Sequence, residues 1–290
     1  MLSSLLAACS PRSVVVRQLA DELAAQSQGG DEDLLLLRDA APFHLKLSES
    51  VLRQQPGHVP LATAVASGFT QYAYAFVAFE ADRLEARDAT AAAQLRQRAA
   101  RLYLRASRHA RTALASSHAD LDSQRLTQRL SGSAIDPGPD LSAEQVALAY
   151  WGAASWGAAI ALSKDDPDIV ADLPQAIRLA EWAARNDAQW GNGALMSLRG
   201  SFEAARPGGS AQRASALFDQ AIALAAGQQA GPYVAKAESI ALPAGDKAAF
   251  VALLNTALAV SEPADSPLRL HNEVMRQRAA WLLHTTDDLF

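Results

Sequence analysis

The sequence predicts an all-α protein, and three observations carry that expectation. Alanine and leucine dominate the 290 residues while runs of valine, isoleucine and threonine at period two are missing, so the local preference is helical nearly everywhere. Clusters of glycine, proline and aspartate then cut the chain into pieces of helical length. The second half also holds a faint internal period of 36 residues, which lines up Ala180, Ala216 and Ala252 and puts Trp182, Phe218 and Leu254 in register. Ala221 and Leu224 then fall on Ala257 and Val260. Small residues let neighbouring helices approach, and the larger ones fill the gap between them. A unit of two helices is close to the roughly 34 residues of a tetratricopeptide repeat. The expected fold is therefore an all-α, tetratricopeptide-like helical repeat stack, although the full repeat signature is not satisfied.

The breakers place the helices in order. Ahead of Gln28-Gly29-Gly30-Asp31 the pattern predicts a helix over 13–26, and ahead of Gln55-Pro56-Gly57 a second over 43–54. Two long helices follow over 60–86 and 90–118. Past Asp136-Pro137-Gly138-Pro139, a helix over 141–163 can be capped by Asp140 or Ser142 ahead of the acidic Glu144. Asp165-Asp166-Pro167 ends it and 172–186 comes next. Further helices are expected over 192–205, 210–226, 232–241, 246–260 and 267–284, with Ser210 capping the second of these after two glycines. The glycine- and proline-rich segment 132–140 is either a domain linker or a long surface loop. The loop reading, with one domain over 10–290, is preferred because each block has apolar stripes and no other surface to cover them.

Half of the residues are hydrophobic and 20% are charged, as in a soluble globular protein. The net charge of -5 argues against nucleic-acid binding, since phosphate neutralisation wants a basic surface. Val146 to Leu162 is the longest apolar run at 17 residues. That is short of the roughly 20 needed to span a bilayer, and it reads as a buried helix. At the N-terminus Leu6, Ala7 and Ala8 precede the only cysteine, Cys9. Small residues suit the narrow subsites of a signal peptidase, and the thiolate can attack a diacylglycerol. Residues 1–9 therefore read as a truncated lipoprotein signal peptide ending at Cys9, the alternative being a frayed terminus with a buried thiol.

Four groups of side chains are candidates for function. At 100° per residue Phe69, Tyr72, Phe76 and Phe79 fall within an arc of about 80° while Tyr74 points to the opposite side. Such an arc is either a packed seam or the wall of an apolar cavity. Glu80 shares the arc, and Arg83 is its natural partner in an ion pair. Arg98, Arg101, Arg105 and Arg108 form one stripe that needs water, carboxylates or an anionic ligand to offset its charge. Trp151 and Trp156 are each followed by a glycine, Gly152 and Gly157, which allows either close helix approach or ligand access to the backbone. In the last helix Arg278 lies within the apolar arc and needs carboxylate or carbonyl acceptors.

The search for chemistry is otherwise empty. The six histidines form no recognised metal motif, and there is no phosphate-binding glycine loop, dinucleotide fingerprint or serine nucleophile elbow. Asp165, Asp166 and Asp168 lack the glycine and distal glutamate of a calcium loop and read as a solvated turn. The expectation is a protein with no catalytic residues, no metal and no cofactor.

The chain resembles the TatT proteins, the T component associated with tripartite ATP-independent periplasmic (TRAP) transporters. The resemblance runs through Leu34 to Ser50 with Ala41-Pro42-Phe43, Lys46 and Glu49, then Gly68 to Ala81, Arg101 to Arg105 and Tyr150 to Asp166. It continues through Gly191 to Ala194 and Leu270 to Phe290, with Asn272, Trp281 and Asp287-Asp288. The resemblance implies an all-helical periplasmic lipoprotein, anchored in the inner or outer membrane, that can form a homotrimer around a pore. It also implies association with a TRAP solute-binding protein and a hydrophobic cargo that can carry a carboxylate. On this reading the helices at 68–79 and 150–160, with Phe69, Tyr72, Phe76, Phe79, Trp151 and Trp156, are candidate cavity walls, and Arg101, Arg105 or Arg108 a candidate carboxylate contact. The competing expectation is a helical scaffold with a solid interior.

Overall fold

The computed structural model describes residues 11–25, 33–117, 122–132 and 139–290. Every regular element among them is helical. Cys9 and most of the 132–140 segment lie outside the described residues.

Helix α1 (Pro11–Ala25) is followed by α2 (Leu34–Leu52), which starts at Leu34 where the sequence pattern places a start at 43. The Asp33 carboxylate caps it by accepting from the Leu35 and Leu36 amides at 2.9 and 3.0 Å. Pro42 consequently sits inside a helix, at a cost of roughly 3 kcal/mol. The cap and the burial of Leu37, Ala41 and Leu45 on one face offset that cost. Next, α3 (Val59–Ala73) runs without a break through a π-helical turn, Tyr74–Ala78, into α4 (Phe79–Leu84). Helix α5 (Ala89–Ser116) follows. The sequence pattern misses α6 (Ser123–Ser131), which buries only Leu126 and Leu130 and so leaves too short a periodic trace.

Helix α7 (Ala143–Ala161) begins with a reciprocal capping box between Ser142 and Gln145. A single turn, α8 (Pro167–Val170), leads to α9 (Leu173–Asn186), and a 3₁₀ turn at Trp190–Gly193 leads to α10 (Ala194–Ala205). Then come α11 (Ala211–Ala225) and α12 (Gly231–Lys236), which continues into a second π-helical turn at Ala237–Ala241. The chain ends in α13 (Lys247–Ala259), α14 (Arg269–His284) and α15 (Thr286–Leu289).

Helices α3, α5, α7 and α9 pack in succession, and α10 to α14 continue with each helix against the next. The glycines of α7 serve close approach. A Cβ on Gly157 would stand 2.5 Å from Phe202 Cε1 of α10, and one on Gly152 would stand 3.1 Å from Ala110 Cβ of α5. The 36-residue register is only partly realised. Trp182, Phe218 and Leu254 are buried, as are Ala221 and Ala257, but Ala216 and Ala252 face solvent. In place of Ala216 and Ala252, the residues against the core are Ala214 in α11 and, at the matching place in α13, the large Phe250.

The C-terminal helix returns to the first half of the chain. Arg278 of α14 donates to Asp82 of α4 and to Glu238 of the second π-helical turn, each at 2.7 Å. Trp281 meets Phe79 edge to face with ring centroids 5.7 Å apart, and the Tyr74 hydroxyl points to Met275 Sδ at 4.0 Å. The need for acceptors at Arg278, carboxylate or carbonyl, legible in the sequence, is thus met by carboxylates from two separate elements. The Glu80–Arg83 pair is not formed; Arg83 lies over the Phe79 ring, 4.1 Å from its centroid.

Candidate functional site

The returning α14 leaves a cavity of about 620 Å³ between itself and the α2, α3 and α7 layer. Leu37, Ala41, His44 and Leu45 line it from α2; Tyr72, Tyr74 and Phe76 from the end of α3 and the π-helical turn; Tyr103 from α5; Tyr150, Trp151, Ala154 and Ala158 from α7. Leu270, His271, Val274 and Met275 of α14 close the remaining side. The π-helical turn therefore forms part of the wall, a local irregularity that recurs at functional sites.

Among the described residues no aspartate, glutamate, lysine or arginine lines this space. The lining hydroxyls of Thr63, Ser67 and Thr70 donate to carbonyls of their own helix. By contrast the Tyr103 and Tyr150 hydroxyls and the Trp151 indole N–H make no hydrogen bond among the described residues. Burial pushes the Tyr150 phenol up to about 12 and raises that of Tyr103 as well, so both stay neutral donors. Burial also lowers the His271 imidazole below its ordinary value, which favours the uncharged ring. The result is an apolar chamber with a few neutral polar groups available, suited to a solute that is largely hydrocarbon and carries an uncharged polar end.

The structure separates the residues singled out from the sequence. Tyr72, Phe76 and Trp151 line the cavity. Phe69 is buried behind it with Arg105 5.1 Å from its ring centroid, and Phe79 is buried against Trp281 and Arg278. Trp156 is 1% exposed, has Arg111 stacked 3.8 Å from its centroid, and donates from Nε1 to Asp172 at 3.2 Å. The π-helical turn accounts for part of this sorting. Its wider winding rotates the residues beyond it out of the 100° phase, so Phe79 turns into the core; Tyr74, expected on the opposite side, also lines the cavity with Tyr72 and Phe76.

None of the three arginines reaches the cavity. Arg101 and Arg108 are exposed, and Arg105 forms a two-pronged pair with Glu49. Glu49 is 3% exposed and also accepts from Lys46 at 2.7 Å and faces His109 at 2.8 Å. Burial alone would raise this carboxyl, but the hydrogen bonds from Arg105, Lys46 and His109 bring it down to about 2. The residues that sequence reasoning missed are Tyr103, His44 and the α14 wall of Leu270, His271, Val274 and Met275. Their signal is long-range: only the closure of α14 onto α4 brings them to the same space.

Asn272 holds that wall in place. It is fully buried, accepts from the Ala230 amide at 3.0 Å, and donates to the Gln228 carbonyl and to Glu262, each at 2.8 Å. Among the described residues no group of three or more histidine, cysteine, aspartate or glutamate side chains could hold a metal ion, and no helix is long and apolar enough to cross a membrane.

The chain matches, over residues 30–290, the family model described as TRAP transporter T-component. It is also 27% identical over 274 residues to a protein of Treponema pallidum (strain Nichols) described as an uncharacterized protein, with 90% of this chain and 81% of that protein covered.

Proposed function

The chain belongs to the TRAP transporter T-component family, and from that premise we propose that it carries a small, uncharged hydrophobic or amphipathic solute in its cavity and exchanges it with a TRAP solute-binding protein. Membership makes it a non-catalytic accessory of TRAP-type transport, paired functionally with such a protein. The observation that carries the solute reading is the cavity of about 620 Å³ with no charged side chain in its lining. Tyr72, Phe76, Trp151, Tyr103 and Met275 would contact the solute, with Phe69, Phe79 and Trp156 supporting the walls from behind. An anionic head group would have no arginine within the lining, so the polar end is read as neutral.

A docking face for the solute-binding protein is supported by α2. Leu36, Phe43 and Leu47 share one stripe at 100° per residue and are 59%, 76% and 40% exposed. The neighbouring face of the same helix lines the cavity through Leu37, Ala41 and His44, so a protein bound there would sit beside the stored solute.

The reading extends to a single repeat-like domain over 10–290, supported by alternate helices touching along the stack, as α3 does α7, α10 does α12 and α12 does α14. It includes lipid attachment at Cys9, a periplasmic location at a membrane and assembly as a homotrimer, as the family resemblance implies. Native mass spectrometry of gently purified protein tests the central claim. It is expected to show a retained neutral apolar molecule that an added apolar probe displaces; a chain that is always empty and takes up no such probe favours the scaffold instead. Acyl mass on Cys9, lost in Cys9→Ala, checks the anchor, and the same spectra report subunit number.

A further inference from the structure

A smaller concavity of about 180 Å³ lies between α5 and α6, away from the solute chamber. Arg108, Arg111 and Thr112 of α5 line one side; Ser123 and Thr127 of α6 line the other, over a floor of leucine. Among the described residues no carboxylate belongs to this lining.

Arg111 is the unusual member. Its guanidinium lies over the Trp156 ring, 3.8 Å from the centroid, so the ring covers one side of it. Its Nε is buried with no hydrogen-bond partner, and Arg111 makes no ion pair among the described residues. Asp172 acts on it through space, yet that carboxylate is bonded to Trp156 Nε1 and to Gln175 Nε2. Burial, and to a lesser degree Arg108, disfavours the charged guanidinium, while Asp172 supports it. The Nε is shut off from the groove, so only the terminal nitrogens of this half-buried guanidinium can meet a ligand; with no ion pair of its own and a second cation one helical turn away, it is stabilised when an anion completes it.

We propose that this groove is an oxyanion site for a phosphate group, with the terminal nitrogens of the half-buried Arg111 as its inner contact and Arg108 as its solvent-side contact. The lining offers donors from two helices, arginines on one and the Ser123 hydroxyl on the other. That arrangement fits the several oxygens of a tetrahedral anion better than the two of a carboxylate. The phosphate is either free in solution or the headgroup of a phospholipid.

The test is calorimetric titration of the intact chain with inorganic phosphate in a phosphate- and sulfate-free buffer at constant ionic strength. One saturable site is expected, with sulfate competing and acetate not competing. Arg108→Gln, at an exposed position, should weaken phosphate by about tenfold or more with helicity unchanged. Arg111→Lys, which keeps the charge and loses the planar fork, should weaken it comparably. Flotation with phosphatidylglycerol vesicles, against phosphatidylcholine alone, identifies the source: binding lost in Arg108→Gln assigns a headgroup, and phosphate binding without it assigns the free anion. The proposal is overturned if the wild-type chain shows neither saturable phosphate binding nor Arg108-dependent vesicle binding, or if Arg108→Gln binds phosphate as tightly as wild type.

Discussion

Arg278 donates to Asp82 at 2.7 Å, joining the last long helix to a residue 196 positions earlier in the chain. The same guanidinium holds Glu238, and its ring neighbours are Phe79 and Trp281. Without this junction α14 would have no polar fastening to α4, and the wall made by Leu270, His271, Val274 and Met275 would be free to swing away from the cavity.

Arg278→Met keeps the stem and removes the charge, leaving Asp82 and Glu238 near each other. Because both carboxylates remain 29% exposed, the expected loss is roughly 3 kcal/mol, at the low end for a broken buried pair. Urea denaturation measures it, and affinity for an apolar probe should fall in parallel. An unchanged denaturation midpoint would mean that the junction contributes nothing.

Glu49 gives a pH signature. Its carboxyl is held at about 2 in the folded chain against an ordinary 4.5, so its charge stabilises the fold above 4.5 and that contribution drains away as pH falls from 4.5 toward 2. Glu49→Gln is expected to be less stable than wild type at neutral pH by roughly 2–3 kcal/mol. The difference should narrow on acidification below 4.5. A gap that stays constant down to about pH 3 would show that the carboxylate charge is not what matters.

Two tryptophans of one helix should behave differently. Trp151 lines the cavity, and Trp151→Ala is expected to weaken an apolar probe about tenfold or more while the melting temperature shifts little. Trp156 is 1% exposed and is the surface on which Arg111 stacks, so Trp156→Ala should cost roughly 3–5 kcal/mol. Equal effects of the two substitutions on stability and on binding would contradict the division of α7 into a cavity side and a core side.

Filling the chamber is the complementary experiment. Ala154 projects from α7 into the lining, and Ala154→Trp should occupy part of the 620 Å³ without opening the core. Probe binding is expected to disappear with the circular dichroism spectrum intact. Retention of full affinity would place the solute elsewhere.

Much of the architecture was legible in the sequence because its signals are local. Caps and breakers act within a few residues, so the starts of α7 and α11 follow from Ser142 and Ser210. The early start of α2 was hidden because Pro42 normally ends a helix, and here the Asp33 cap and the buried Leu37–Ala41–Leu45 face outweigh it. The 36-residue alignment found the large buried positions and Ala180, Ala221 and Ala257 but misplaced Ala216 and Ala252, since in a chain this rich in alanine composition alone does not say which ones touch the core.

By itself the sequence determined the helical class, the absence of catalytic motifs, the need for hydrogen-bond acceptors around Arg278 and the resemblance that led to the family. Those properties depend on residue type, short spacing or the order of motifs. Tertiary structure alone decided that Arg105 is tied to Glu49, that Trp151 faces the chamber while Trp156 faces the core, and that Tyr103 and Met275 meet across it. Each of those outcomes depends on which distant helix lies opposite, and at Tyr74–Ala78 on a π-helical turn that changes the winding phase. A regular 100° projection carries neither piece of information.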